Sequence, residues 1–162
     1  YHVRLIDGNR IYVAELNKNL TSVKENTARE CISAGTGWED TANAPWRVCE
    51  GPTVAKIDST YYMFYSCNDF HSKDYAVGYA TAKSPLGPWT KCEKPLISQR
   101  LIGANGTGHG DLFKDSDGDW AYVFHTHGGA DKVVPRRAAV VKLRLGKQGF
   151  EVAEGSFRYL CR

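Results

Sequence analysis

Lys56-Ile57-Asp58-Ser59-Thr60-Tyr61-Tyr62-Met63-Phe64-Tyr65 and Lys114-Asp115-Ser116-Asp117-Gly118-Asp119-Trp120-Ala121-Tyr122-Val123-Phe124-His125 are two versions of one pattern. Each runs from a lysine through an Asp/Ser turn into an aromatic-rich strand, which is the sequence form of a β-hairpin. Trp120 follows Tyr61 by 59 positions, Lys114 follows Lys56 by 58, and Arg136 follows Tyr75 by 61 at the head of the next strand. An internal period of that size, with three or four strands per unit, predicts the blades of a propeller.

Outward from the hairpins the apolar segments stay short, rich in aromatic and β-branched residues, and separated by turn signals. Strands are predicted over residues 11–16, 49–57, 61–66, 76–82, 110–114, 120–126, 138–145 and 157–160. The fold class is all-β, built from antiparallel four-stranded blades. Residues 1–47 are read as the end of one blade and its crossing, 48–105 as the blade carrying Glu50, and 106–162 as the blade carrying His109 with a C-terminal strand. Residues 17–48 and 93–108 are expected to carry an outermost strand and the crossing to the next blade. The chain opens in mid-strand at Tyr1-His2-Val3-Arg4-Leu5-Ile6 with no visible signal peptide.

Composition narrows the function classes. Hydrophobic residues make up 42% and charged residues 24%, ordinary for a globular domain. The formal charge of +3 is spread along the chain. Its tightest basic group, Arg136, Arg137, Lys142 and Arg144, would alternate between the faces of a strand, so no nucleic-acid partner is expected. No apolar run reaches the 18 or so residues of a membrane-spanning helix. Five cysteines without a CxxC pair argue against a zinc cluster; they read as small buried hydrophobes, with one disulfide left open.

The period also says where ionisable groups gather. Glu50 and His109, 59 positions apart, are expected at equivalent places at the entry of an innermost strand. Strand direction alternates within a blade, so the same face should collect the loop 66–74, His125, His127, Arg136 and Arg137. Such convergence at one mouth of an axis is a site on geometry alone. A carboxyl lodged among apolar groups has its neutral form favoured, which suits a proton donor. The plainer alternative for Glu50 is a surface glutamate before the Gly51-Pro52 turn, and for His109 a core histidine satisfied by its neighbours.

The strings Glu50-Gly51-Pro52-Thr53-Val54-Ala55-Lys56, Tyr61-Tyr62-Met63-Phe64-Tyr65-Ser66, Tyr75-Ala76-Val77-Gly78-Tyr79-Ala80, Pro85-Leu86-Gly87-Pro88-Trp89 and Gly106-Thr107-Gly108-His109-Gly110 together resemble glycoside hydrolase family 43. The resemblance covers about residues 11–145, with the motifs in family order. It implies a five-bladed propeller of the β-xylosidase, α-L-arabinofuranosidase and arabinanase kind, of which this chain is about half. It also implies inverting hydrolysis with Glu50 as general acid. His109 matches a histidine near the axis that in many members binds calcium, often through water; otherwise no cofactor is required. Arg137, or Arg136 one residue away, matches an arginine near the catalytic carboxylates. Asn68 and Asp69 are candidates to hydrogen-bond sugar hydroxyls and Phe70 to stack on a sugar ring, although a plain surface loop would look the same.

The partner implied is a pentose-containing oligo- or polysaccharide, and the localisation secreted or periplasmic. The base aspartate and the aspartate that orients the acid belong to earlier blades of the family, before the start of this chain. Asp7-Gly8 reads instead as a turn. The open half-ring would be closed by a missing N-terminal half or by a homodimer. The alternative function is a non-catalytic carbohydrate-binding half-propeller.

Three patterns are set aside. Asp115-Ser116-Asp117-Gly118-Asp119 mimics the start of an EF-hand loop but lacks its later glutamate. Gly103-Ala104-Asn105-Gly106-Thr107-Gly108 suggests a dinucleotide loop, but no helix is expected after it. The sequons at Asn19 and Asn105 are of a kind common by chance.

Overall fold

A computed structural model describes residues 2–5 and 7–160. It contains three antiparallel sheets in succession. The first holds β1 (His2–Leu5), β2 (Gly8–Val13) and β3 (Arg29–Ser33) in the order β1-β2-β3. The second holds β4 (Cys49–Ile57), β5 (Thr60–Cys67), β6 (Ala76–Ala82) and β7 (Thr90–Lys91) in sequence order. The third holds β8 (Gly108–Lys114), β9 (Trp120–Thr126), β10 (Arg137–Gly146) and β11 (Gly149–Val152), and β12 (Arg158–Tyr159) also pairs with β10. One helical turn, α1 (Gln99–Ile102), and a 3-10 turn at Gly37–Glu39 sit in the connections. This is the partial propeller that the repeated hairpins predict.

The middle sheet is buried on both faces, and alternation along β5 shows why. Met63, Tyr65 and Cys67 point into one core with Ile11, Ile32 and Ala80. Phe64 points the other way, into a core with Val77, Tyr79, Tyr122, Val141 and Phe150. A strand with period two and apolar residues on both of its faces can serve two neighbouring blades at once. Gly78 is needed on the first side, because a Cβ there would lie 2.4 Å from the Trp38 ring.

Several boundaries differ from the reading of the sequence. The strand expected at residues 11–16 lies at Gly8–Val13, and Leu16 leaves the sheet to bridge Val23. The outer strand expected within residues 93–108 begins earlier, as β7, and continues only as a bridge from Ile97 to Val77. The outer edge of the last sheet is likewise split, with β11 on one half of β10 and β12 on the other. Pieces of two to four residues are too short to carry a periodic signal.

The equivalence of Glu50 with His109 is also corrected, by one residue. Glu50 lies opposite Ser66, and Gly108 lies opposite His125. Each ladder then bulges before resuming at Thr53 and at Asp111. The residues inside the two bulges, Gly51 at φ 59° and His109 at φ 49°, share the left-handed conformation. Glu50 therefore corresponds to Gly108, and His109 to Gly51. The period of 59 belongs to the second strands; the first strands repeat at 58 because the second hairpin has a longer turn.

Cys31, Cys49, Cys67 and Cys92 are free thiols, and Cys161 lies outside the described residues. Cys49 and Cys67 face each other across the ladder, both fully buried. That burial holds the Cys67 thiol well above its usual range.

Candidate active site

Glu50 is the second residue of β4, just before the bulge, and is half-buried. Its Oε1 accepts a hydrogen bond from the Tyr75 hydroxyl at 2.9 Å. Burial first, and then the neighbouring Glu50 charge, keep the Tyr75 phenol protonated far above its ordinary range. Glu50 lines a cavity of about 640 Å³ together with Asn68, Asp69 and Phe70. Four of the residues singled out in the sequence are thus brought to one place.

Asn68 is buried at φ 69° and spends its whole amide inside the protein. Nδ2 donates to the Trp38 carbonyl at 2.7 Å and to the Asp74 carbonyl at 2.9 Å. Oδ1 accepts from the Thr41 backbone N–H at 2.9 Å and from its hydroxyl at 3.1 Å. An Asn side chain has two donors and two acceptor sites, and all are used. Asp69, by contrast, is exposed. Its carboxylate accepts from the His71 backbone N–H at 2.8 Å, which holds its pKa below the usual carboxylate range. Phe70 presents its ring with Arg136 over one face, 5.2 Å from the centroid.

His109 and Arg137 lie in a second, shallower hollow, with His125 and Arg136. The two neighbouring arginines divide: Arg136 donates to His125 Nε2 at 3.0 Å and covers Phe70, whereas Arg137 stacks on Tyr159 of β12. His125 stacks on Tyr75 with ring centroids 5.7 Å apart, so it links the two hollows. Burial first, then the nearby Arg136 charge, lower its pKa to about 4 and keep it neutral. His127 is buried behind the loop, with Nε2 2.9 Å from the Phe70 carbonyl.

Two carboxylates on the cavity wall escape a reading of the sequence. Glu39 is buried; it accepts from the Tyr65 hydroxyl at 2.7 Å and is paired with Lys91. Asp40, also buried, accepts from the Ala44 N–H at 2.9 Å and from Arg47 Nε at 3.0 Å. Both sit in a long connection with no periodicity, where only the Trp38-Glu39-Asp40 cluster hints at them. Asp7 is an exposed turn residue bonded to Arg10 at 2.6 Å.

The donor set around His109 does not suit calcium. Two guanidinium groups share its hollow, and Oδ1 of the Asp111 carboxylate there already accepts from the Thr53 hydroxyl and the Leu112 N–H. Among the described residues no cluster of three or more His, Cys, Asp or Glu side chains could hold a metal. At the 115–119 turn, Lys142 Nζ lies 3.2 Å from Asp115, 3.7 Å from Asp117 and 2.9 Å from Asp119, so an ammonium fills the place a metal would take.

The fold is a propeller segment whose cavity is lined by carboxylates and an aromatic ring. The sequence profile of glycosyl hydrolases family 43 matches residues 3–146, and the chain belongs to that family. It resembles an endo-1,4-β-xylanase from Bacteroides thetaiotaomicron at 39% identity and TM-score 0.84, covering 94% of this chain and 52% of that one. A thermostable family-43 glycoside hydrolase superposes at TM-score 0.83 with 34% identity, over 91% of this chain and 48% of that one. A β-D-galactofuranosidase of Aspergillus niger is 32% identical over 76 residues, 47% of this chain and 22% of that protein. The chain thus spans about half the length of the two structures and less of the galactofuranosidase.

Proposed function

We propose that this chain supplies the acid side of an inverting glycosidase site, with Glu50 donating the proton to the departing oxygen of a xylosidic or arabinofuranosidic bond. The substrate is a pentose-containing oligo- or polysaccharide. The observation that carries this is the placement of Glu50 on the wall of a cavity of about 640 Å³, fixed by Tyr75 and facing the Phe70 loop. That volume admits a sugar residue and its neighbour, and an aromatic ring beside a carboxyl is suited to the apolar face of a pyranose or furanose. The xylanase likeness favours a xylose-based substrate. Asp69 and Phe70 contact the sugar, while Asn68 holds their loop. Arg136 and Arg137 give the adjoining hollow its positive charge.

Inversion needs a second carboxylate to activate water, roughly 6.5–9.5 Å from the first. Glu39 and Asp40 are poor bases for this, since each is already bonded to an internal cation and to other donors. In this reading the base comes from a segment beyond these residues, in keeping with the half-length match to the relatives.

The test is hydrolysis of xylobiose and arabino-oligosaccharides by the full protein and by Glu50→Ala. Loss of general acid catalysis is expected to lower kcat by about 10³-fold. Unchanged turnover in the variant sinks the assignment. Sugar binding by the wild type without turnover supports a carbohydrate-binding module instead.

A further inference from the structure

We propose that Tyr75 is the positioning residue of this acid: its hydroxyl engages Oε1 of Glu50, so that Oε2 carries the proton into the cavity. The inference rests on the role of Glu50 given above and adds how the carboxyl is aimed.

Tyr75 is fully buried and clamped along its length. Its backbone N–H donates to the Ser72 carbonyl at 3.1 Å, and its own carbonyl accepts from the Thr107 hydroxyl at 3.1 Å. The ring occupies the space that a side chain at position 108 would fill, for a Cβ on Gly108 would lie 2.1 Å from Cε1. His125 stacks against the ring with an interplanar angle of 17°. A phenol held on every side has one orientation, and in that orientation its hydroxyl reaches Glu50.

One further hydrogen bond reaches the same corner. The His109 backbone N–H donates to Ser66 Oγ at 2.8 Å. Ser66 bears on the phenol in the sense that eases its ionisation, and the phenol donates to Glu50. The left-handed bulge that presents the His109 N–H is thereby connected to the acid on the neighbouring blade. A general acid must sit within hydrogen-bond reach of the glycosidic oxygen, and displacements of about 1 Å cost on the order of 10²-fold.

The experiment compares wild type with Tyr75→Phe in the full protein on two substrates. One is xylobiose, whose leaving group needs protonation; the other is a dinitrophenyl xyloside, whose leaving group does not. Tyr75→Phe is expected to lower kcat on xylobiose by about ten-fold with little change in KM. It should leave the dinitrophenyl substrate nearly untouched and move the alkaline limb of the pH–rate profile to higher pH, because a donor to the carboxylate is lost. Equal losses on both substrates, an effect on KM alone, or an unmoved limb would overturn the proposal. If Tyr75→Phe does not fold, Ser66→Ala must move the same limb in the same direction, and no movement overturns it equally.

An arm independent of turnover separates this idea from the function it rests on. In infrared spectra of ring-labelled protein, the tyrosine C–O band assigned to position 75 should shift on Glu50→Ala. A static band refutes the positioning role even if hydrolysis is seen. A shifted band in a protein without hydrolysis leaves Tyr75 in place and removes the glycosidase reading alone.

Discussion

At the corner of the β4–β7 blade, Glu50 and Ser66 stand on two successive strands and Tyr75 just before the third; in the β8–β11 blade the matching positions hold Gly108, His125 and Arg136. The backbone is the same in both, down to a bulge with one left-handed residue. The side chains differ in every case. One corner offers a carboxyl held by a phenol hydroxyl, the other an imidazole held by a guanidinium. The two are also interlocked, since the tyrosine of the first fills the space left by the glycine of the second. A repeat can therefore keep its scaffold and divide the chemistry between copies, as long as the copies are packed against each other.

The largest effect is expected where the interlock is broken. Gly108→Ala forces a methyl into the Tyr75 ring and should cost about 3 kcal/mol, read as a fall in the urea midpoint. Stability within about 0.5 kcal/mol of wild type would show that the ring can move aside. Exchanging the bulge residues is a smaller and sharper change. Gly51→Ala places a side chain at φ 59° against the His109 ring and should cost about 1–2 kcal/mol, whereas His109→Gly relieves the same backbone and should gain about 1 kcal/mol. Equal and opposite shifts in Tm would confirm that the two positions are equivalent; two losses would mean that the His109 side chain carries a load of its own.

The smallest effect concerns pH. His125 has a folded pKa lowered to about 4, so it is neutral in the folded protein where the unfolded chain begins to take up a proton. Its contribution is fully present above about pH 6.5 and is lost as the pH falls towards 4. Because the ring is partly solvated, the effect is discounted to about 1 kcal/mol. Urea midpoints at pH 7 and pH 5 should differ by that much less in His125→Gln than in wild type. Parallel pH responses would assign the acid sensitivity elsewhere.

Much of the fold was legible because the central hairpins state it twice. Cys49–Ile57, Ala76–Ala82 and Trp120–Thr126 end where alternation meets a turn signal, and their limits in the structure are the same. β3, β7 and β11 were not legible, being short outer pieces whose polar residues face water and leave no pattern. The one-residue offset between Glu50 and His109 was invisible for another reason. A bulge changes which residue faces its partner without changing the residue types around it. Within the site, Glu50 stood out through the Glu50-Gly51-Pro52 motif, while its place in the repeat reads one residue off. Glu39 and Asp40 could not, because what makes them notable is burial among Tyr65, Lys91 and Arg47, a matter of tertiary contacts. The sequence also offered Asn68 as a sugar contact, a role the amide has no spare hydrogen bond to perform.

Asn68 has a wider consequence for variation. Its position demands a left-handed backbone, two donors, two acceptors and a side chain two bonds shorter than a lysine's reach, all at once. Aspartate keeps the shape but loses the donors; glycine keeps the backbone but loses every bond; glutamine keeps the bonds but not the length. A saturation library should tolerate almost nothing here while accepting many residues at exposed Asp69 beside it. Variants that reshape the cavity wall will then change the tip of the loop and leave its root untouched.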